Sequence, residues 1–132
     1  MIYDSIREQL FKLQPEQAHK LTLSALRLAG ALPPVRWGLS RYFSAPDTPV
    51  EVMGLQFKNR VGLAAGYDKD GVALAGLGSL GFGHIEMGTV TSRPQPGNPA
   101  PRVFRLVQEQ GVINRMGFPS LGTEFVQGQL NP

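Results

Sequence analysis

The fold is decided by residues Asn59 to Gly71, which run Asn-Arg-Val-Gly-Leu-Ala-Ala-Gly-Tyr-Asp-Lys-Asp-Gly. The apolar part predicts a short strand that ends in small residues, and polar side chains follow it, with Lys69 at the tip. A second stretch, residues 81–91, repeats this order and carries Thr89. Small residues let a flat ligand approach the backbone closely, so both strands are expected to open onto a binding site.

A helical pattern links the two strands. Three leucines recur at helical spacing in residues 71–80, between strands predicted at 61–64 and 85–90. A strand, a helix and a second strand in this order favour a parallel sheet with a right-handed crossover. The sequence therefore predicts an α/β fold in which the polar tips share one edge of the sheet.

Helices are predicted before this unit. Residues 1–30 form two of them, with Pro15 in the first turn of the second and Gly30 as its expected end. In the second helix, Ala18, Leu21, Ala25 and Leu28 mark one face, and Leu23 and Leu26 extend the apolar surface over more than half of its circumference. A third short helix is predicted at 35–43, and a linker rich in proline follows at 44–49.

Further hairpins and a loop complete the pattern. A hairpin is predicted at residues 51–57, with Met53-Gly54 in its turn. A loop rich in proline and glycine covers 92–101, and a second hairpin follows, turning near residues 108–110. A last helix is expected to begin near Ser120.

The composition excludes several classes of protein. The chain has 132 residues, of which 42% are hydrophobic and 17% charged, as expected of a globular domain. It has no cysteine and two histidines, so neither a disulfide nor a metal centre is expected. A net charge of +3 without a basic run is a weak argument for nucleic acid. No secretory signal and no stretch long enough to cross a bilayer are seen, so an intracellular protein is expected.

Four runs of the chain form long and specific motifs, at residues 62–71, 88–98, 101–106 and 113–118. Together they resemble the quinone-dependent (class 2) dihydroorotate dehydrogenases. The similarity is collinear over residues 14–121, and 14–19 resemble the helical extension of that class.

The resemblance implies a fold, a cofactor and a reaction. The family folds as an eight-stranded (β/α)8 TIM barrel, binds FMN, and oxidises dihydroorotate to orotate in pyrimidine biosynthesis. It then passes the electrons to a membrane quinone. Residues 1–45 would form a helical membrane and quinone-tunnel module, and residues 46–132 the first part, with only the first strands, of the flavin-binding barrel.

The resemblance also implies roles for individual residues. Flavin contacts would come from Ala65, Gly66, Lys69 and Thr89. The substrate would be held by Lys69, Asn114, Arg115, Met116, Gly117 and Phe118, with a hydrogen bond from Asn114 to the orotate ring. His19 and Arg105 would line the quinone tunnel, although Arg105 could instead pair with Glu86 or Glu109.

The family's catalytic base, a serine in a Ser-Ser-Pro-Asn-like motif, has no counterpart in these residues. The chain is therefore expected to be an inactive N-terminal portion of such an enzyme, peripheral on the cytoplasmic side of the inner membrane. Two alternatives stay open: a flavin barrel with a soluble electron acceptor, and a non-catalytic module that binds the membrane surface.

Overall fold

The computed structural model describes residues 2–131, apart from the side chain of Ile2. Three helices come first: α1 (Ile2–Phe11), α2 (Pro15–Ala31) and α3 (Pro33–Tyr42). The prediction of three N-terminal helices is confirmed, and Pro15 lies in the first turn of α2 as expected. α3 begins at Pro33 rather than at residue 35, because proline is favoured at the first helical position.

The prediction that Gly30 ends α2 is wrong. Gly30 lies inside the last turn, where it packs against a later helix, α4 (Leu74–Gly78). A Cβ atom on Gly30 would lie only 3.1 Å from the Cβ of Ala75, so the two backbones touch without side chains between them. α2 ends because Leu32 is extended, which is the conformation favoured before a proline such as Pro33.

The two leucines of the apolar face of α2 are exposed. Leu21 is 55% exposed and Leu28 is 63% exposed, whereas Ala18 and Gly30 are buried. The covered face is set by the contact with α4, where a Cβ on Gly76 would lie 2.8 Å from the carbonyl carbon of Leu26. Small residues make this contact, and a search for large apolar residues at helical spacing does not detect them.

The strands of the described chain form three separate pairs. In chain order they are β1 (Val50–Val52), β2 (Leu55–Phe57), β3 (Gly62–Leu63), β4 (His84–Ile85), β5 (Val103–Leu106) and β6 (Gly111–Asn114). β1 and β2 form the predicted hairpin, with φ of 52° at Met53 and 76° at Gly54 in its turn. β5 and β6 form the second hairpin, also antiparallel.

The strand-helix-strand unit is confirmed as β3–α4–β4, with the two strands parallel and Gly62 opposite His84. Its elements are shorter than predicted. β4 ends at Ile85 rather than at residue 90, and Gly88, inside the predicted span, has a φ of 125°, which a strand does not adopt. The turn before α4 is held by the buried Asp68 carboxylate, which accepts hydrogen bonds from the backbone N–H groups of Val72 at 2.9 Å and Ala73 at 2.7 Å.

The C-terminal segment folds back onto the turn between β3 and α4. Asp70 Oδ1 accepts hydrogen bonds from the Leu121 N–H at 2.8 Å and from the Ser120 hydroxyl at 3.1 Å. The last predicted helix follows as α5 (Thr123–Leu130). Within residues 2–131, no helix has both the length and the apolar character needed to cross a bilayer.

Candidate functional site

A cavity of about 400 Å³ lies where the chain leaves β3, β4 and β6. We call it the central cavity. All the residues predicted for flavin and substrate line it: Ala65, Gly66, Lys69, Thr89, Asn114, Arg115, Met116, Gly117 and Phe118. They come from three segments that are distant in sequence, and the structure brings them to one place.

Several polar groups of the central cavity are available to a ligand. Among the described residues, neither the Lys69 ammonium nor the Thr89 hydroxyl has a hydrogen-bond or ion-pair partner. The Asn114 side-chain oxygen makes one long hydrogen bond, at 3.4 Å, to the N–H of Met116. A Cβ atom on Gly66 would lie 3.7 Å from Lys69 Nζ, so glycine keeps the space in front of the ammonium open.

The sequence did not identify Asn98, which also lines the central cavity and supports residues 114–118. Its side-chain Nδ2 donates to the Arg115 carbonyl at 2.7 Å, and its backbone N–H donates to the Met116 carbonyl at 2.9 Å. A Cβ atom on Gly117 would lie 2.8 Å from Asn98 Cγ, so the two segments pack at closest range. Its position in a proline- and glycine-rich loop gave no sign of this role.

A second cavity of about 540 Å³ lies between the α1–α2 junction and the β5–β6 hairpin, and its lining is mainly apolar. We call it the helix cavity. Both predicted tunnel residues, His19 and Arg105, line it. His19 Nε2 lies 2.5 Å from the Tyr67 carbonyl oxygen, and the His19 ring meets the Tyr67 ring edge-on with centroids 5.2 Å apart.

Arg105 joins the hairpin to the first helix. Its guanidinium lies over the Phe11 ring at 4.6 Å and donates to the Leu13 carbonyl at 2.8 Å. The alternative of an ion pair with Glu86 or Glu109 is therefore wrong. The Phe11 and Leu13 carbonyls that accept from Arg105 lie at the C-terminal end of α1, where the helix dipole favours a cation, and no carboxylate among the described residues pairs with Arg105.

The two cavities share a wall. Gly66, Lys69, Asn114 and Met116 line both of them. A group bound in the central cavity and a group bound in the helix cavity would thus be separated by one layer of residues, two of them with polar side chains.

Comparisons with known sequences and structures all point to one family. The sequence profile of the dihydroorotate dehydrogenase family matches residues 48–132. The protein named dihydroorotate dehydrogenase (quinone) from Burkholderia ambifaria is 58% identical over 125 residues, which is 93% of this chain and 35% of that protein. Its namesake from Edwardsiella ictaluri is 54% identical over 124 residues, covering 94% of this chain and 36% of that protein.

Solved structures of the Eimeria tenella enzyme also match. The complex with ferulenol has a TM-score of 0.68 and 37% identity, and covers 88% of this chain and 29% of that chain. The ligand-free form has a TM-score of 0.63 and 40% identity, and covers 79% of this chain and 30% of that chain. The chain belongs to the dihydroorotate dehydrogenase family, so the sequence resemblance is confirmed. It spans about a third of the length of the curated relatives it matches.

Proposed function

We propose that this chain contributes the first part of a quinone-dependent dihydroorotate dehydrogenase. That enzyme would oxidise dihydroorotate to orotate in pyrimidine biosynthesis and pass two electrons to a membrane quinone. The central cavity carries the proposal, because Lys69, Thr89 and Asn114 meet there beside a mainly apolar second cavity. The two relatives named above support it at 58% and 54% identity.

The proposed architecture is the start of a (β/α)8 barrel. β3–α4–β4 would be its first strand-helix-strand unit, since parallel strands joined by a helix are the repeating element of that fold. The barrel part would cover residues 46–132, with the β1–β2 hairpin at its closed end. Residues 1–45 would be the quinone-tunnel module. Active sites of such barrels lie at the carboxyl ends of the strands, which is where the central cavity lies.

FMN would lie against Ala65, Gly66 and Thr89 in the central cavity. The residues fit a flat ring, because Gly66 has no side chain in front of the cavity and the Ala65 side chain is a single exposed methyl group. When bound, FMN would supply the two-electron acceptor for the oxidation of dihydroorotate. Lys69 would hold its unpaired ammonium near the negative charge that a reduced flavin acquires, and a fixed cation stabilises such charge.

Dihydroorotate would be held by Lys69, Asn114 and the rest of residues 115–118. The substrate is a carboxylate attached to a ring of amides. The ammonium matches the carboxylate, and an asparagine side chain can donate to a ring carbonyl while it accepts from a ring N–H. The exposed Asn114 amide supports this role, because its nitrogen has no partner in the part of the chain that the structure describes.

The quinone would enter through the helix cavity, past His19 and Arg105. A quinone ring is apolar with two carbonyl oxygens. The cavity pairs a mainly apolar lining with the Arg105 guanidinium, which can donate to such an oxygen, and with the ring of His19. The helices outside it expose large apolar side chains, among them Leu21, Leu28 and Trp37. We propose that this surface rests on the cytoplasmic side of the inner membrane, as a peripheral contact.

A hybrid enzyme tests the function. It consists of this chain followed by the part of the Burkholderia ambifaria relative that lies beyond the matched region. We expect it to reduce a quinone at the expense of dihydroorotate. Lys69→Met should lower kcat/KM for dihydroorotate by about 100-fold, since a hydrogen bond to a charged group contributes about 1.5–3 kcal/mol. Lys58→Met is the matched control, because Lys58 is exposed and lies outside both cavities.

The hybrid enzyme also separates the alternatives. Reduction of a soluble acceptor with no reduction of quinone would place the protein in the other class of flavin barrels. A folded, flavin-loaded hybrid that oxidises no dihydroorotate would refute the proposed function.

A further inference from the structure

We infer that Glu16 and Arg102 are positioning residues that couple the seating of α2 to the shape of the substrate loop, which we define as residues 114–118. The inference rests on the proposed function and deepens it, since it assigns a role in dihydroorotate binding to a residue of the tunnel module. The observation behind it is a continuous series of hydrogen bonds from α2 to the central cavity.

The series begins with an ion pair. Glu16 Oε1 accepts two hydrogen bonds from Arg102, from Nη2 at 2.9 Å and from Nε at 3.0 Å. The Arg102 side chain is 16% exposed and that of Glu16 is 24% exposed. A charge that is largely removed from water depends on its partner more than a surface charge does, so the ion pair with Glu16 holds the Arg102 guanidinium in one position.

The other side of the guanidinium holds the loop between β4 and β5. Arg102 Nη1 donates to the Pro96 carbonyl at 2.7 Å and to the Asn98 carbonyl at 2.9 Å. One side chain thus closes residues 96–102 into a compact turn. The planar fork of arginine makes these contacts simultaneously with those to Glu16, which lysine could not do.

The turn at residues 96–102 also holds the substrate loop. The Arg102 carbonyl accepts from the Arg115 N–H at 2.8 Å, and Asn98 bonds the Arg115 and Met116 carbonyls as described above. Among the described residues, the hydrogen bonds of the Glu16 carboxylate connect it to the substrate loop through Arg102. Loss of Glu16 should loosen the turn and let the substrate loop sample shapes that do not bind dihydroorotate.

The expected effect is on one substrate only. Glu16 lies in the wall of the helix cavity, so a simple lining role would change the KM for quinone. Coupling through Arg102 instead changes the fraction of molecules whose substrate loop is ready to bind. The apparent affinity for dihydroorotate falls in proportion to that fraction.

The test measures both KM values in the hybrid enzyme. Glu16→Ala should raise the KM for dihydroorotate about tenfold, equivalent to about 1.4 kcal/mol, and leave the KM for quinone within about twofold. Glu16→Gln should raise it only about threefold, because an amide oxygen still accepts from Arg102. The control Glu8→Ala makes the same change on an exposed residue of α1 and should alter neither KM. Flavin content and melting temperature report whether each variant folds.

A double-mutant cycle tests the route. If the coupling runs through Arg102, adding Glu16→Ala to Arg102→Ala should not raise the KM for dihydroorotate further. Effects that multiply would overturn the inference, as would a Glu16→Ala variant that shifts the quinone KM alone. Should Glu16→Ala fail to fold, Glu16→Gln decides by the same criterion. An inactive unmutated hybrid would instead refute the proposed function, so the two failures are distinguishable.

Discussion

Gly30→Ala should destabilise the protein although it replaces a glycine inside a helix. The added Cβ would lie 2.5 Å from the Gly76 nitrogen and 3.1 Å from the Ala75 carbonyl carbon. Both atoms belong to the backbone of α4, which cannot rotate away as a flexible side chain can. α2 and α4 would have to move apart, and with them the wall that α2 contributes to the helix cavity.

The size of the effect follows from two opposing contributions. Alanine is favoured over glycine by about 1 kcal/mol in a helix interior, and overpacking a close contact costs about 1–3 kcal/mol. The net loss for Gly30→Ala is then up to about 2 kcal/mol. Gly38→Ala is the matched control, because Gly38 lies within α3 and a Cβ there would meet nothing within 4 Å. It should stabilise the protein by about 1 kcal/mol.

The assay is urea unfolding of both variants and the unmutated chain, followed by circular dichroism. The difference between the two variants cancels the helix propensity and leaves the overpacking cost, expected at about 1–3 kcal/mol. If Gly30→Ala proves as stable as Gly38→Ala, α2 does not pack against α4 at the distance described, and the placement of the helical module is refuted.

Two further predictions concern a turn and a surface. Asp68→Asn should lower the free energy of unfolding by about 1–3 kcal/mol relative to the exposed control Asp47→Asn, because one of the N–H groups of Val72 and Ala73 would face an amide nitrogen. Urea titration of both variants measures this difference in stability. Equal stabilities would contradict the capping role of Asp68. Leu21→Glu with Leu28→Glu should lower binding to vesicles of anionic lipid about 100-fold, since each inserted leucine contributes about 1.5 kcal/mol. The control Met53→Glu with Val107→Glu changes two exposed residues that lie outside the helices and should bind like the unmutated chain. Equal co-sedimentation of all three proteins would exclude the membrane contact.

Local signals in the sequence were sufficient where the structure is local. Pro15 marks the start of α2, and Met53-Gly54 forms the turn of the first hairpin, since each acts within a few residues. The polar tips after β3 and β4 predicted that Lys69 and Thr89 share a cavity, because parallel neighbouring strands carry their carboxyl ends to one edge. The family motifs added Asn114, whose proximity no spacing argument could supply.

The sequence was uninformative where a contact joins distant segments. Leu21 and Leu28 form a regular apolar stripe, yet the buried face of α2 is the one that carries Gly30. The partner helix α4 decides which face of α2 is buried. Glycine has no apolar side chain, so a search for hydrophobic periodicity does not detect the face that carries Gly30. Glu16 and Arg102 are 86 positions apart in the sequence, and each residue by itself is indistinguishable in the sequence from an ordinary surface charge.

Because the two cavities share a wall, the substrate loop shapes the boundary of both of them. Asn114 and Met116 face both cavities, so a shift that suits a ligand in one changes the boundary of the other. A loop supported only by its own strand could not hold both boundaries, since β6 ends at Asn114. Support from outside the hairpin is therefore required, and Asn98 and Arg102 provide it from the preceding loop. The same requirement explains why a residue of α2 reaches across to that loop: the helices that open one cavity also stabilise the edge of the other.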